Sequence, residues 1–160
     1  MGNKPIISSM TISENTFTGE FKYTLDSKSR LNIPSKFRSA LSPDNDGSFM
    51  ITKGMDSCIV AYPVVEWQKR VESGLRELSA TSQRNRLFVR SITRYASTVK
   101  LDGQGRIQLT PYLKDFANLD REVRIIGVVN KIELWNPKDL EKLDELPPHD
   151  FDDLSDKVIL

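Results

Sequence analysis

The sequence predicts a β-rich α+β protein made of two diverged copies of one module. Three observations predict it. First, the pattern apolar, Asp, three small or polar residues, Arg, apolar, amide, apolar occurs at Leu25–Ile33 and again at Leu101–Leu109. Second, a proline-led segment with apolar residues four apart follows each copy: Phe37 and Leu41 after Pro34, Leu113 and Ala117 after Pro111. Third, Cys58–Pro63 resembles Ile132–Pro137, each a short apolar run closing on an aromatic and then a proline. Internal repetition of this kind marks one supersecondary unit used twice.

Taken in order, each copy reads as strand, turn, strand, short helix, strand, strand, helix. Ser27-Lys28-Ser29 and Gly103-Gln104-Gly105 are turn formers between strand-like runs. Pro34 and Pro111 end a strand and open a helix of one apolar face. After Pro63, the spacing of Val64, Trp67, Val71, Leu75 and Leu78 predicts one helical stripe. After Pro137, Leu140 and Leu143 predict a shorter one, ended by Pro147-Pro148. The expected organisation is an N-terminal extension at 1–16, a first module with its helix at 17–82 and a connecting helix at 83–95. A second module with its helix follows at 96–146, and an acidic tail at 147–160. The tail is expected to be mobile, with Val158-Ile159-Leu160 available to dock. Trp67 and Trp135 are expected in the core.

Hydrophobic residues make up 38% of the 160 and charged residues 28%, an ordinary globular balance. The single cysteine, Cys58, excludes an internal disulfide, and the single histidine, His149, leaves no ligand spacing for a structural metal. No cofactor motif is present. No apolar stretch approaches the ~20 residues of a membrane span, and the N-terminus has no signal-like run. The expectation is a soluble cytoplasmic protein. Net charge is +1, but residues 138–160 carry eight acidic and three basic side chains. The rest is therefore moderately basic, which suits an anionic partner.

The Asp-x-x-x-Arg spacing alone is weak, since roughly 0.4 matches would arise by chance at about 5% usage of each residue. A third match, Asp120 to Arg124, lacks the flanking pattern and reads as fortuitous. In the two patterned copies the Asp accepts backbone N–H groups and shapes the turn. The Arg is held at a set angle, as either a structural ion pair or a pre-oriented guanidinium for phosphate or guanine. Both roles are compatible. Lys28 and Gln104 occupy equivalent tips; lysine suits phosphate or guanine and glutamine suits adenine. Arg86, Arg90 and Arg94 recur at helical spacing near Arg84, as a second basic site or a solvated face. An enzyme is disfavoured: Cys58 and Ser27 are candidate nucleophiles, but the lone His149 lies in the tail. A scaffold whose basic loops grip an acidic protein is the remaining alternative.

These residues resemble the MraZ family. Phe17-Thr18-Gly19-Glu20-Phe21, Leu25–Leu31 and Ile33-Pro34-Ser35-Lys36-Phe37-Arg38 resemble its first repeat. Asp102–Arg106, Leu119–Val123, Gly127 and Ile132–Trp135 resemble its second, so the likeness covers about residues 17–146. The resemblance implies two tandem AbrB-like swapped-hairpin modules forming a pseudo-twofold β-barrel with peripheral helices. It implies a ring of about eight subunits. It also implies a nucleoid-associated repressor that binds repeated promoter boxes of its own division and cell-wall gene cluster. Asp26, Lys28, Arg30, Asp102, Gln104 and Arg106 would contact double-stranded DNA. One departure stands out: Ser29 occupies a turn position where glycine is usual, and a serine held at positive φ carries a cost there.

Overall fold

The computed structural model describes residues 14–143 and 145–158. The first module contains β1 (Phe17–Thr24), β2 (Arg30–Asn32), α1 (Ser35–Ala40), a 3-10 turn (Pro43–Asn45), β3 (Ser48–Lys53) and β4 (Ile59–Pro63). Helix α2 follows as three continuous pieces, Val64–Glu66, Trp67–Glu72 and Ser73–Glu77. Helix α3 (Gln83–Thr93) joins the modules. The second module repeats the order as β5 (Ser97–Lys100), β6 (Arg106–Gln108), α4 (Pro111–Phe116), β7 (Glu122–Val129), β8 (Ile132–Trp135) and α5 (Pro137–Glu141). Helix α6 (Pro148–Val158) comes last.

The two copies are interleaved. One six-stranded antiparallel sheet runs β1-β7-β8-β4-β3-β5, and β2 pairs with β6 in a separate ribbon. Exchanging the copies reverses the sheet order onto itself, so the sheet has an internal pseudo-twofold relation. Both longest pairings, β1 with β7 and β3 with β5, cross between copies or join a strand to its neighbour's copy. Neither module can therefore bury its apolar strands without the other.

The barrel expectation is corrected: the sheet is open, with β1 and β5 at its edges. The reason lies in β2 and β6. Each has three residues, and their ladder bonds go to each other rather than to β1 or β5. A three-residue strand already paired has no second ladder with which to close a sheet.

The core fills the space between sheet, ribbon and short helices. Leu31 and Ile107, opposite each other in the ribbon, are buried with Phe37 of α1 and Leu113 of α4. Phe17 and Phe21 meet Phe37 edge-on, at centroid distances of 5.4 and 5.1 Å. Trp135 and Trp67 are buried as expected. Ala117 is buried, but Leu41 lies beyond the end of α1 and is only partly covered.

Two helices differ from the sequence reading. The middle of α2, Trp67–Glu72, is π-helical, so the expected single stripe is displaced and Leu78 ends 37% exposed. The acidic segment is not an irregular tail: α6 is an eleven-residue helix. Pro148 opens it, Asp150 lies in its first turn, and Phe151, Leu154 and Val158 recur at helical spacing. Ile159, Leu160 and the first thirteen residues of the N-terminal extension lie outside the described residues. Among the described residues no helix is long and apolar enough to cross a membrane.

Candidate nucleic-acid interface

The two Asp-x-x-x-Arg segments form the same turn. In the first, Asp26 Oδ1 accepts from the backbone N–H of Lys28 and of Arg30, both at 2.9 Å. Arg30 Nε donates to Asp26 Oδ2 at 2.7 Å. The backbone closes the turn, with Asp26 N donating to Arg30 O and Ser29 N to Asp26 O. In the second, Asp102 Oδ1 accepts from Gln104 N and Arg106 N at 2.9 and 3.0 Å, and Oδ2 from Arg106 Nε at 2.8 Å. The same two backbone bonds close it. One carboxylate thus fixes both the turn backbone and the direction in which its arginine leaves the strand.

Ionisation is part of that frame. The Arg30 backbone N–H, with its side chain and the Lys28 N–H, holds the Asp26 carboxyl down to about 2 against partial desolvation. The Arg106 backbone N–H, then the Gln104 N–H and the Arg106 side chain, lower Asp102 likewise.

The ribbon sets the turns side by side. Ile33 N donates to Gly105 O, and Leu109 N to Ser29 O, so each turn is tied to the opposite copy. Arg106 Nη1 lies 3.6 Å from Asp26 Oδ2. Lys28 and Gln104 are exposed at the tips, while Arg30 and Arg106 are part-exposed behind them. All six residues expected from the sequence are therefore gathered into one surface. With Nε committed to the aspartate, each arginine still presents Nη donors outward.

Residues the sequence reading passed over complete the site. Lys114 Nζ donates to Ser29 Oγ at 2.8 Å, from α4 of the second module to the turn of the first. Ser29 has φ +60°, the left-handed region, so this bond anchors the side chain that makes the conformation costly. At the matching place in the second turn Gly105 has φ +77°, and a Cβ there would stand 2.8 Å from the Arg38 guanidinium of α1. Arg38 Nε meanwhile donates to Ile33 O at 3.0 Å. Gln108 Nε2 donates to Lys28 O at 2.6 Å, tying the first tip. A signal for the helix cations was present: each stands eight residues after its own turn arginine, Arg38 after Arg30 and Lys114 after Arg106.

Other candidates fall away from this surface. Arg124 bonds Glu20 and Glu122 rather than Asp120, so the third Asp-x-x-x-Arg is a coincidence of spacing. Arg84, Arg86 and Arg90 are exposed on α3, and Arg94 lies 4.7 Å over the Tyr95 ring. Burial pushes the Cys58 thiol up to about 12, which removes it as a nucleophile. His149 is exposed on α6, 3.4 Å from Asp153. With Asp150 these form the one group of possible metal ligands among the described residues, and all three are exposed.

Residues 16–91 and 92–156 each match the family described as "MraZ protein, putative antitoxin-like". The chain belongs to the MraZ family. The double match reproduces the two interleaved modules. The transcriptional regulator MraZ of Pediococcus pentosaceus is 41% identical over 143 residues, 89% of this chain and 96% of that protein. That of Natranaerobius thermophilus is 39% identical with the same shares covered. That of Halothermothrix orenii is 44% identical over 122 residues, 76% of this chain and 82% of its own length. All three MraZ relatives are named as regulators of transcription and none as an enzyme.

Proposed function

We propose that this chain is a sequence-specific DNA-binding transcriptional regulator whose contact surface is the paired turns. Asp26, Lys28, Arg30, Asp102, Gln104 and Arg106 are its DNA-contacting residues. The reading extends to a cytoplasmic, nucleoid-associated repressor of its own division and cell-wall gene cluster. It acts as a ring of about eight subunits on repeated promoter boxes. The cross-copy strand pairing supports a swapped-hairpin relation between the modules at 17–82 and 96–146.

One observation carries this: two turns with the same hydrogen-bond frame stand together, each presenting a guanidinium and a long polar tip outward. Aspartates hold the arginines without using up their Nη donors. Guanidinium donors in that state suit a phosphate or the O6/N7 edge of guanine, and the Lys28 and Gln104 tips suit different bases. A single subunit meets few base edges, so affinity would come from several subunits on phased boxes. A second engaged subunit binds at an effective concentration near millimolar, a gain of about 10²-fold or more.

The test is binding of the full chain to duplex from upstream of its own gene against random duplex, with Arg30→Ala and Arg106→Ala. Losing a bidentate base contact costs about 1–3 kcal/mol, roughly five- to 150-fold in affinity, and repetition around a ring multiplies it. Both variants are expected to keep the parent's melting temperature, because exposed ion pairs add little stability. A variant that unfolds instead assigns its turn a purely structural role. Boxes set half a helical turn out of phase, roughly 5 base pairs, are expected to lose the avidity gain. Equal binding to promoter and random duplex would overturn the reading.

A further inference from the structure

Helix α6 has an apolar face that this chain leaves uncovered. Phe151, Leu154 and Val158 are 52%, 50% and 70% exposed, and no residue of α6 is buried. Their spacing of three and four puts them on one face, with Asp152, Asp153 and Asp156 on the other.

A complementary surface lies between α2 and α3. A groove of about 510 Å³ there is lined by Trp67, Leu75, Phe88 and Ile92, with Lys53 and Lys131 at its rim. Phe88 is 42% exposed, and its neighbour Leu87 is 57% exposed. Thr52 Oγ1 donates to Ile92 O and holds α3 to β3, so the groove is built into the fold. Arg84, Arg86 and Arg90 stand exposed along the same helix.

We propose that α6 of one copy docks into the α2–α3 groove of a second copy of this chain. The proposal rests on the oligomeric reading above and names the surfaces that join the subunits. An amphipathic helix laid in an apolar groove with anchors at i, i+3 and i+7 is a recurrent recognition mode. Charge selects the occupant: the acidic face of α6 meets the arginines of α3, and the same pairing repeats from copy to copy. Within one chain both surfaces are folded, yet neither covers the other. Such a head-to-tail contact uses two different surfaces, and contacts of that type close into rings.

The experiment uses the full chain. Light scattering compares the parent with Leu154→Asp and with Phe88→Asp, and circular dichroism confirms that both stay folded. In parallel, a Leu154→Cys chain is mixed with a Phe88→Cys chain and oxidised; the native Cys58 is buried and does not compete. Expected are a fall in mass for both aspartate variants and a mixed disulfide between chains at least tenfold above either homodisulfide. An oligomeric parent whose mass Leu154→Asp leaves unchanged, without the mixed disulfide, overturns this proposal and spares the oligomer. A monomeric parent overturns both. A disulfide formed within one Leu154→Cys/Phe88→Cys chain would seat α6 in its own groove and also overturn it. So would a Leu154→Asp chain of unchanged mass that binds duplex tighter, since α6 would then cover the turns.

Discussion

The two turns share a hydrogen-bond frame and differ in what braces it. In the first, Ser29 takes the left-handed residue position, Lys114 grips its hydroxyl, and Gln108 holds the Lys28 carbonyl. In the second, Gly105 takes that position without a side chain, and the Arg38 guanidinium occupies the space a Cβ would need. Asn32 stands where Gln108 stands in the other copy. It is one methylene shorter and makes no side-chain hydrogen bond to the second tip among the described residues. Diverged copies can therefore keep one functional geometry by exchanging where the cost is met. A serine with a cross-copy hydrogen bond does at one turn what a glycine and a packed arginine do at the other. The tips have meanwhile diverged to Lys28 and Gln104, so the pseudo-twofold scaffold presents a chemically asymmetric surface.

Gly105→Ala should break the comparison most strongly. Left-handed backbone costs a non-glycine residue about 1–2 kcal/mol, and the displaced Arg38 forfeits its bond to Ile33 O, about 1 kcal/mol more. The expected outcome is a loss of about 2 kcal/mol, seen as a fall of about 4–8 °C in Tm on thermal unfolding. An unchanged Tm would show that Arg38 gives way freely and that the glycine is not required.

Ser29 should respond by less, and in a diagnostic order. Ser29→Ala keeps the left-handed penalty and loses the Lys114 bond, so it should cost about 1 kcal/mol. Ser29→Gly loses the same bond but relieves the backbone, and should lie within about 0.5 kcal/mol of the parent. Chemical denaturation of both variants measures the order. Equal destabilisation would mean that the hydrogen bond alone matters and that the serine carries no backbone cost.

The smallest effect is acidic titration. Asp26 is held to about 2, below its ordinary 3.8, so the ionised carboxylate favours the folded state. Its contribution is complete above about pH 4 and is lost as pH falls toward 2. Carboxyl NMR shifts should place the Asp26 midpoint near 2 and the Asp102 midpoint also below its ordinary value. A normal midpoint at either residue would mean that its turn is open in solution.

Much of the molecule was legible from residue order because the relevant forces act over short spans. An Asp, three turn formers and an Arg build a turn whose bonds all lie within five residues, so spacing alone predicts it. The short helices after Pro34 and Pro111, the buried Trp67 and Trp135, and the six surface residues of the turns follow from the same local logic. Helical spacing of Phe151, Leu154 and Val158 was equally local, but the acidic composition around it masked the helix.

Tertiary structure decided everything that depends on partners far apart in sequence. Only the packed chain shows that β1 pairs with β7 and β3 with β5, that the ribbon spends its ladder on itself, and that the sheet stays open. Only packing brings Lys114 to Ser29, 85 residues away, and Arg38 beneath Gly105. The physical reason is that strand pairing and side-chain bracing are settled by the burial each register achieves. That quantity belongs to both copies together, whereas turn chemistry is written into each copy separately.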